Sequence, residues 1–196
     1  MFLENTINHS KQSGWMEVIC GSMFSGKTEE LIRRLRRAEM AGQNVEIFKP
    51  RTDTRYSDED VVSHNKNKIR STAVENPNEI ILLGSNCDVV GIDEAQFFDE
   101  SIVDVANKLA NNGVRVVIAG LDMDFMGRPF GPMPNLMATA EYVTKVHAIC
   151  KRTGNLANHS MRISANTDLV QLGETESYEA VSRKVFNEEF LNRENS

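Results

Sequence analysis

Apolar residues in this chain fall in short runs separated by polar, turn-rich stretches. WMEVIC (residues 15–20) is bounded by glycine and reads as a buried strand. In KTEELIRRLRRAEMA (27–41), Leu31, Ile32, Leu35, Ala38 and Met40 recur close to helical spacing, and Gly42 follows as a stop. NVEIFKP reads as a strand ending at Pro50, and DVVGID (88–93) as another. FFDESIVDVANKLANNG predicts a helix capped near Asp99 or Ser101 and stopped by Gly113. VRVVIAG (114–120) is a continuous apolar strand of the kind expected when both sheet faces are covered. EYVTKVHAI (141–149) reads as one more strand.

Strands alternating with helices predict an α/β fold with a mainly parallel sheet. Two stretches depart from this rhythm. Residues 51–68 are polar and read as a long loop, a length that is uncommon unless functional. After Ile149 turn residues dominate, and no long helix is expected in CKRTGNLANHSMRISANTDLVQLGETESYEAV (150–181). The expected organisation is a core domain over 14–149 and a small C-terminal unit over 150–190. Residues 1–13 and 191–196 are expected to be loose.

Composition changes the picture little. A 40% hydrophobic and 26% charged make-up is that of an ordinary globular domain. The net charge of −6 argues against nucleic acid or an anionic membrane surface as main partner. No apolar run approaches the length of a membrane span. Cys20, Cys87 and Cys150 are odd in number and widely spaced, and the opening MFLENTINHSKQSG lacks the apolar core of a leader. The expectation is a cytoplasmic protein with free thiols.

The chemistry begins at GSMFSGKT. Gly21 and Gly26 let the backbone N–H groups of Ser22, Met23, Phe24 and Ser25 wrap a phosphate chain. Lys27 would reach the β- and γ-phosphates, the Thr28 hydroxyl would ligate Mg²⁺, and the following helix presents its positive end to the same anion. VVGIDE supplies Asp93 for the metal side, usually through water, and Glu94 directly after it. Glu94 has two open readings, a proton acceptor for an attacking hydroxyl or an acid at a helix start. Arg33, Arg34, Arg36 and Arg37 read most simply as a solvated or subunit-facing helix surface. A GTPase would carry Asn-Lys-x-Asp, and the stretches at Asn65 and Asn107 lack the aspartate.

GSMFSGKT, KPRTDTRYS, GIDEAQFF, LDMDFMGRPFG and LVQLGETESY follow one another as in the type II thymidine kinases. The chain resembles that family over nearly its whole length. The resemblance implies ATP:thymidine 5′-phosphotransfer, a RecA-like P-loop core with a small lasso domain, a homotetramer, and dTTP as feedback inhibitor. It implies an ATP site at Gly21 through Thr28, with Asp53, Thr54 and Arg55 as a second contacting segment. Asp93, Glu94, Ala95 and Gln96 are implied at the strand end, with Glu94 as proton acceptor. Met23, Phe97, Leu121, Phe125 and Phe130 are implied as thymine walls. Ser160, Leu169, Val170, Gln171, Leu172, Gly173 and Tyr178 are implied as lasso residues gripping the nucleoside. Without the resemblance, Phe125 and Phe130 read as core aromatics.

Most members of that family hold the lasso with a structural zinc. The corresponding positions here are Cys150, Thr153, Ser182 and Val185. One thiol cannot supply a tetrahedral set of thiolate and imidazole ligands, so no zinc is expected. Val185 and Phe186 are candidates for an apolar plug in its place. The rival function is a nucleotide-binding regulator with little or no phosphotransfer, and a further one is a deoxynucleoside kinase that prefers another base.

Overall fold

The computed structural model describes residues 13–51, 60–62, 68–163 and 177–194, with 60–62, 68–70 and 190–194 described as backbone only. A six-stranded sheet runs through the centre. Its strands are β1 (Trp15–Gly21), β2 (Val45–Pro50), β5 (Thr72–Val74), β6 (Val89–Ile92), β7 (Arg115–Gly120) and β8 (Tyr142–Val146). The order is β5-β2-β6-β7-β1-β8, and every pairing is parallel.

Alternation along the strands divides the core in two. Ile19, Ile47, Val89, Val117 and Ala119 face α1 (Lys27–Met40) and its Leu31, Ile32, Leu35 and Ala38. Val18, Cys20, Phe48, Val90, Ile92, Val116 and Ile118 face the opposite layer. That layer is built from α2 (Pro77–Gly84), α3 (Ser101–Asn111) and α4 (Met133–Thr139). Both faces are covered, as the continuous apolar strands require. No helix among the described residues is long and apolar enough to cross a membrane.

Several expectations are corrected. The 51–68 stretch contributes to a short antiparallel hairpin, in which β3 (Asp60–Val62) pairs with β4 (Lys68–Arg70). EYVTKVHAI is not one strand. It breaks at His147 into β8, in the main sheet, and β9 (Ala148–Ile149), which pairs antiparallel with β10 (Leu156–Ala157). The chain thus leaves the main sheet after Val146, where β8 runs out of register partners on β1 at Gly21. Downstream, β11 (His159–Arg162) pairs with β12 (Tyr178–Val181). A 12-residue helix, α5 (Arg183–Glu194), follows.

The arginine cluster on α1 is also not uniformly solvated. Arg34 is buried and donates to Glu17, Glu30 and Thr144 at 2.8, 2.8 and 3.0 Å. Glu17, fully buried in β1, also accepts from Arg115 Nε and from the Trp15 indole, each at 2.7 Å. Removing one member of such a network strands buried charge. Glu17→Ala is expected to lower unfolding free energy by about 3–5 kcal/mol. Denaturant titration checks this, and a loss under about 1 kcal/mol would place the network among weak surface pairs.

Candidate active site

The turn from β1 into α1 forms the phosphate loop. At Gly21 φ is 148°, and a Cβ there would sit 2.1 Å from the Val146 carbonyl oxygen, so only glycine lets β1 pass β8 at this point. Ser25 Oγ and Lys27 Nζ both donate to the Ser22 carbonyl, at 2.7 and 2.8 Å, and draw the loop into a ring. Phe24 adopts a left-handed φ of 61°, a conformation costing roughly 1–2 kcal/mol for a side-chain-bearing residue. Its ring packs against the C-terminal apolar cluster. Phe24 can therefore face a phosphate only through its backbone.

Asp93 follows β6 and Glu94 follows Asp93. In the sheet, β6 is separated from β1 by β7 alone, so both carboxylates meet the phosphate loop at one strand-end edge, where open α/β sheets take ligands. Thr28 Oγ1 lies 3.4 Å from Asp93 Oδ2. A hydroxyl facing a carboxylate is a hard oxygen pair that suits Mg²⁺ with phosphate and water oxygens completing the shell. Asp93 Oδ1 accepts the Glu94 N–H at 2.9 Å, and Glu94 takes a left-handed φ of 51°. Strain at Phe24 and Glu94 alike is concentrated around this edge.

Gln96 fixes the Glu94 side chain. Its Nε2 donates to Glu94 Oε2 at 2.5 Å, and its Oε1 accepts the Leu121 N–H at 2.9 Å. Gln96 is buried between them, and Ala95 is packed into the core, its carbonyl accepting the Phe98 N–H at 3.2 Å. Cys20 beneath the loop is pushed up to about 11, chiefly by burial and then by Asp122, against the opposing pull of Lys145 and Lys27. That thiol stays protonated at neutral pH and is no nucleophile.

The connection from β7 to α4 carries Leu121, Phe125 and Phe130. It is folded on itself by Asp124, whose carboxylate accepts the N–H groups of Met126 and Arg128 at 2.8 and 2.9 Å. Phe130 meets Phe97 edge to face, with ring centroids 5.8 Å apart. Gly127, at φ 73°, lets the turn approach the C-terminal unit, since a Cβ there would lie 3.2 Å from the Phe186 ring. Phe186 in turn stacks on His159 at 4.4 Å. Burial first, then Arg183 and Lys145, lower the His159 pKa and favour its neutral form, with Asp122 opposing.

The implied site residues thus gather along one edge. Gly21 through Thr28, Asp93, Glu94, Ala95, Gln96, Phe97, Leu121, Phe125 and Phe130 come from the strand ends and the β7–α4 connection. Ser160 joins them by accepting the Met23 N–H at 2.9 Å, and Ser22 Oγ donates to the Ala157 carbonyl at 3.1 Å. Tyr178 lies opposite Arg162 in the β11–β12 pair. Asp53, Thr54, Arg55, Leu169, Val170, Gln171, Leu172 and Gly173 lie outside the described residues. Sequence reasoning missed Asp124, whose position ahead of Phe-Met-Gly was a turn signal. It also missed Arg162, for which the chain carries no local signal.

The positions of the family's zinc ligands come together, but as a different structure. Cys150, Val185 and Phe186 are buried in one cluster with Ala148, Ala157, Met161, Ala180 and Val181. Thr153 Oγ1 lies 3.5 Å from Ser182 Oγ. Burial would raise the Cys150 thiol, but hydrogen bonds from the Thr153 side chain and from the backbone of Ser182, Arg152 and Thr153 bring it down to about 7. Beside it, Arg152 bonds Glu179 on β12 and Glu189 on α5, each at 2.6 Å. A hydroxyl pair, one thiol and an isopropyl group do not fit zinc, and no group of three or more His, Cys, Asp or Glu among the described residues could hold a metal ion. Packing and the Arg152 clamp join what a metal would cross-link. Phe186→Ala is expected to cost about 3–5 kcal/mol, while EDTA leaves the melting temperature unchanged. A melting point lowered by EDTA and restored by zinc would contradict this.

A phosphate loop on one strand, with its acidic partner across one intervening strand, defines the phosphate-loop class of nucleotide-binding α/β proteins. The family model "Thymidine kinase" matches residues 14–186. The chain is 59% identical over 180 residues to a thymidine kinase of Rhodothermus sp. (strain ITI 518), spanning 92% of this chain and 84% of that one. It is 59% identical over 186 residues to a thymidine kinase of Bacteroides thetaiotaomicron, covering 95% and 94% of the two chains. A thymidine kinase of Porphyromonas gingivalis (strain ATCC BAA-308 / W83) is 60% identical over 184 residues, covering 94% and 90%. The chain belongs to the thymidine kinase family.

Proposed function

We propose that this chain transfers the γ-phosphate of ATP to the 5′-hydroxyl of thymidine, giving dTMP and ADP. The observation that carries the reading is Glu94, held by Gln96 at the sheet edge that the phosphate loop also faces, in a chain of this family. The backbone N–H groups of the loop and Lys27 bind the triphosphate. Glu94 takes the proton as the 5′-oxygen bonds to the γ-phosphorus and the bond from that phosphorus to the β–γ bridging oxygen breaks. Lys27 stabilises charge on the departing ADP and on the moving phosphoryl group. Thr28, and Asp93 through water, would hold Mg²⁺, which would neutralise charge on the phosphate oxygens.

Met23, Phe97, Leu121, Phe125 and Phe130 wall the base, with Ser160 and Tyr178 on the side of the C-terminal unit. A flat, partly apolar base suits aromatic and aliphatic walls with a few placed polar groups. In this reading residues 14–149 act as the ATP-binding core and 150–190 as the nucleoside-gripping unit. We further place the protein in the cytoplasm as a homotetramer inhibited by dTTP. A nucleoside panel with ATP, read as monophosphate product, tests the reading. Thymidine is expected to outpace deoxycytidine and the purine deoxynucleosides, and preference for any of those would overturn it.

A further inference from the structure

Arg162 is among the largest side chains fully removed from solvent, at 1% exposure. It ends β11, directly opposite Tyr178 of β12. Its guanidinium carbon lies 3.8 Å from the centre of the Phe125 ring and 5.2 Å from that of Tyr178. Its Nη2 donates to the Tyr178 hydroxyl at 2.5 Å. A distant segment, the β7–α4 connection, is thereby pinned to the C-terminal hairpin through one cation.

Burying a guanidinium is costly, and an apolar residue of similar volume would commonly stabilise a fold as well or better. What the guanidinium adds is direction. Its charged carbon sits over one ring while one nitrogen addresses a hydroxyl, so the two aromatic groups are set relative to each other. The strand places this device with care for both substrates. Ser160 and Arg162 alternate with Met161 and so share one face of β11. Ser160 holds the phosphate-loop N–H of Met23, while Met161 points into the apolar cluster.

We propose that Arg162 is a positioning residue for nucleoside recognition, holding Phe125 and Tyr178 at the separation that admits thymidine. This rests on the reading of those two residues as nucleoside walls given above. Arg162 acts through the rings and makes no contact with the reacting atoms. Its loss therefore affects nucleoside binding and selectivity more than ATP binding or turnover.

The test is steady-state kinetics of Arg162→Lys, with Phe125→Ala and Tyr178→Phe in parallel. Arg162→Lys keeps the charge and loses the planar fork. Thymidine KM is expected to rise about ten- to a hundredfold, the scale of a misplaced positioning group, with ATP KM within about twofold. The thymidine-over-deoxycytidine ratio of kcat/KM should fall with it. The Tyr178→Phe effect should be largely absorbed when combined with Arg162→Lys, because both break one contact. A purely structural arginine would lower the melting temperature and leave both KM values and the selectivity ratio unchanged, which overturns the proposal. If Phe125→Ala raises thymidine KM and Arg162→Lys does not, positioning fails and the nucleoside wall stands. If neither does, the wall reading fails as well. Should Arg162→Lys not fold, the wild-type chain decides by NMR. The Arg162 side-chain resonance, displaced by the Phe125 ring, should shift on saturation with thymidine and hold still with ATP·Mg²⁺ alone. No shift with thymidine overturns the proposal.

Discussion

Glu94→Gln is expected to lower kcat by about 10²–10⁴-fold, the usual contribution of a positioned general base, with the fold and both substrate affinities retained. The structure explains why the change is so selective. Glutamine matches glutamate in size, and its carbonyl oxygen can still accept from Gln96 Nε2 where Glu94 Oε2 now does. The left-handed backbone at this residue, φ 51°, is the same for either side chain. In the proposed mechanism the substitution removes the proton acceptor and keeps the bond to Gln96. Single-turnover rates with saturating ATP and thymidine read the effect, alongside equilibrium binding of each substrate. Unchanged turnover would remove Glu94 from the base role and return it to the alternative reading of an acid at a helix start.

Lys27→Met is expected to lower kcat/KM by about 10²–10³-fold, the scale for deleting one preorganised donor from a transition state. Lys27 opens α1, and its ammonium folds back 2.8 Å from the Ser22 carbonyl. The loop ring is also closed by Ser25, so its shape survives without the lysine. Stability should therefore change little while phosphate recognition collapses. Lys27→Arg should recover only part of the activity, because a planar fork replaces a compact charge. Full activity in Lys27→Met would mean that the loop does not hold the transferred phosphate.

The meeting of the phosphate loop, Asp93 and Glu94 at one edge was legible because both motifs are short and lie directly beside a strand end. The apolar runs were legible because a sheet covered on both faces needs continuous hydrophobic strands. The break at His147 was not, since both halves of EYVTKVHAI suit a strand and only the end of β1 pairing stops the first. Helix α2 carried a readable start in Asn76-Pro77-Asn78-Glu79, a capping box that the structure forms with Glu79 bonding back to the Asn76 N–H at 2.9 Å. Glu17 inside a buried strand was a hint that an arginine must be buried with it. Arg34 and Arg162 meet partners far along the chain, Thr144 and Phe125 among them, and no local pattern distinguishes either from a surface arginine.

The C-terminal unit has the same lesson in reverse. The loss of metal ligands at Thr153, Ser182 and Val185 was plain in the sequence, and so was the apolar plug of Val185 and Phe186. The role of Arg152, tying β12 to α5 through Glu179 and Glu189, needed the fold. So did the bonds from Ser22 and Met23 of the phosphate loop to Ala157 and Ser160 of this unit.

Phosphotransfer to a nucleoside hydroxyl is tested most directly by coupled measurement of ADP release with ATP·Mg²⁺, in the presence and absence of thymidine. The site described here predicts release that depends on thymidine and matches dTMP formation mole for mole. ADP release indifferent to thymidine, or tight binding of both substrates without release, would contradict it.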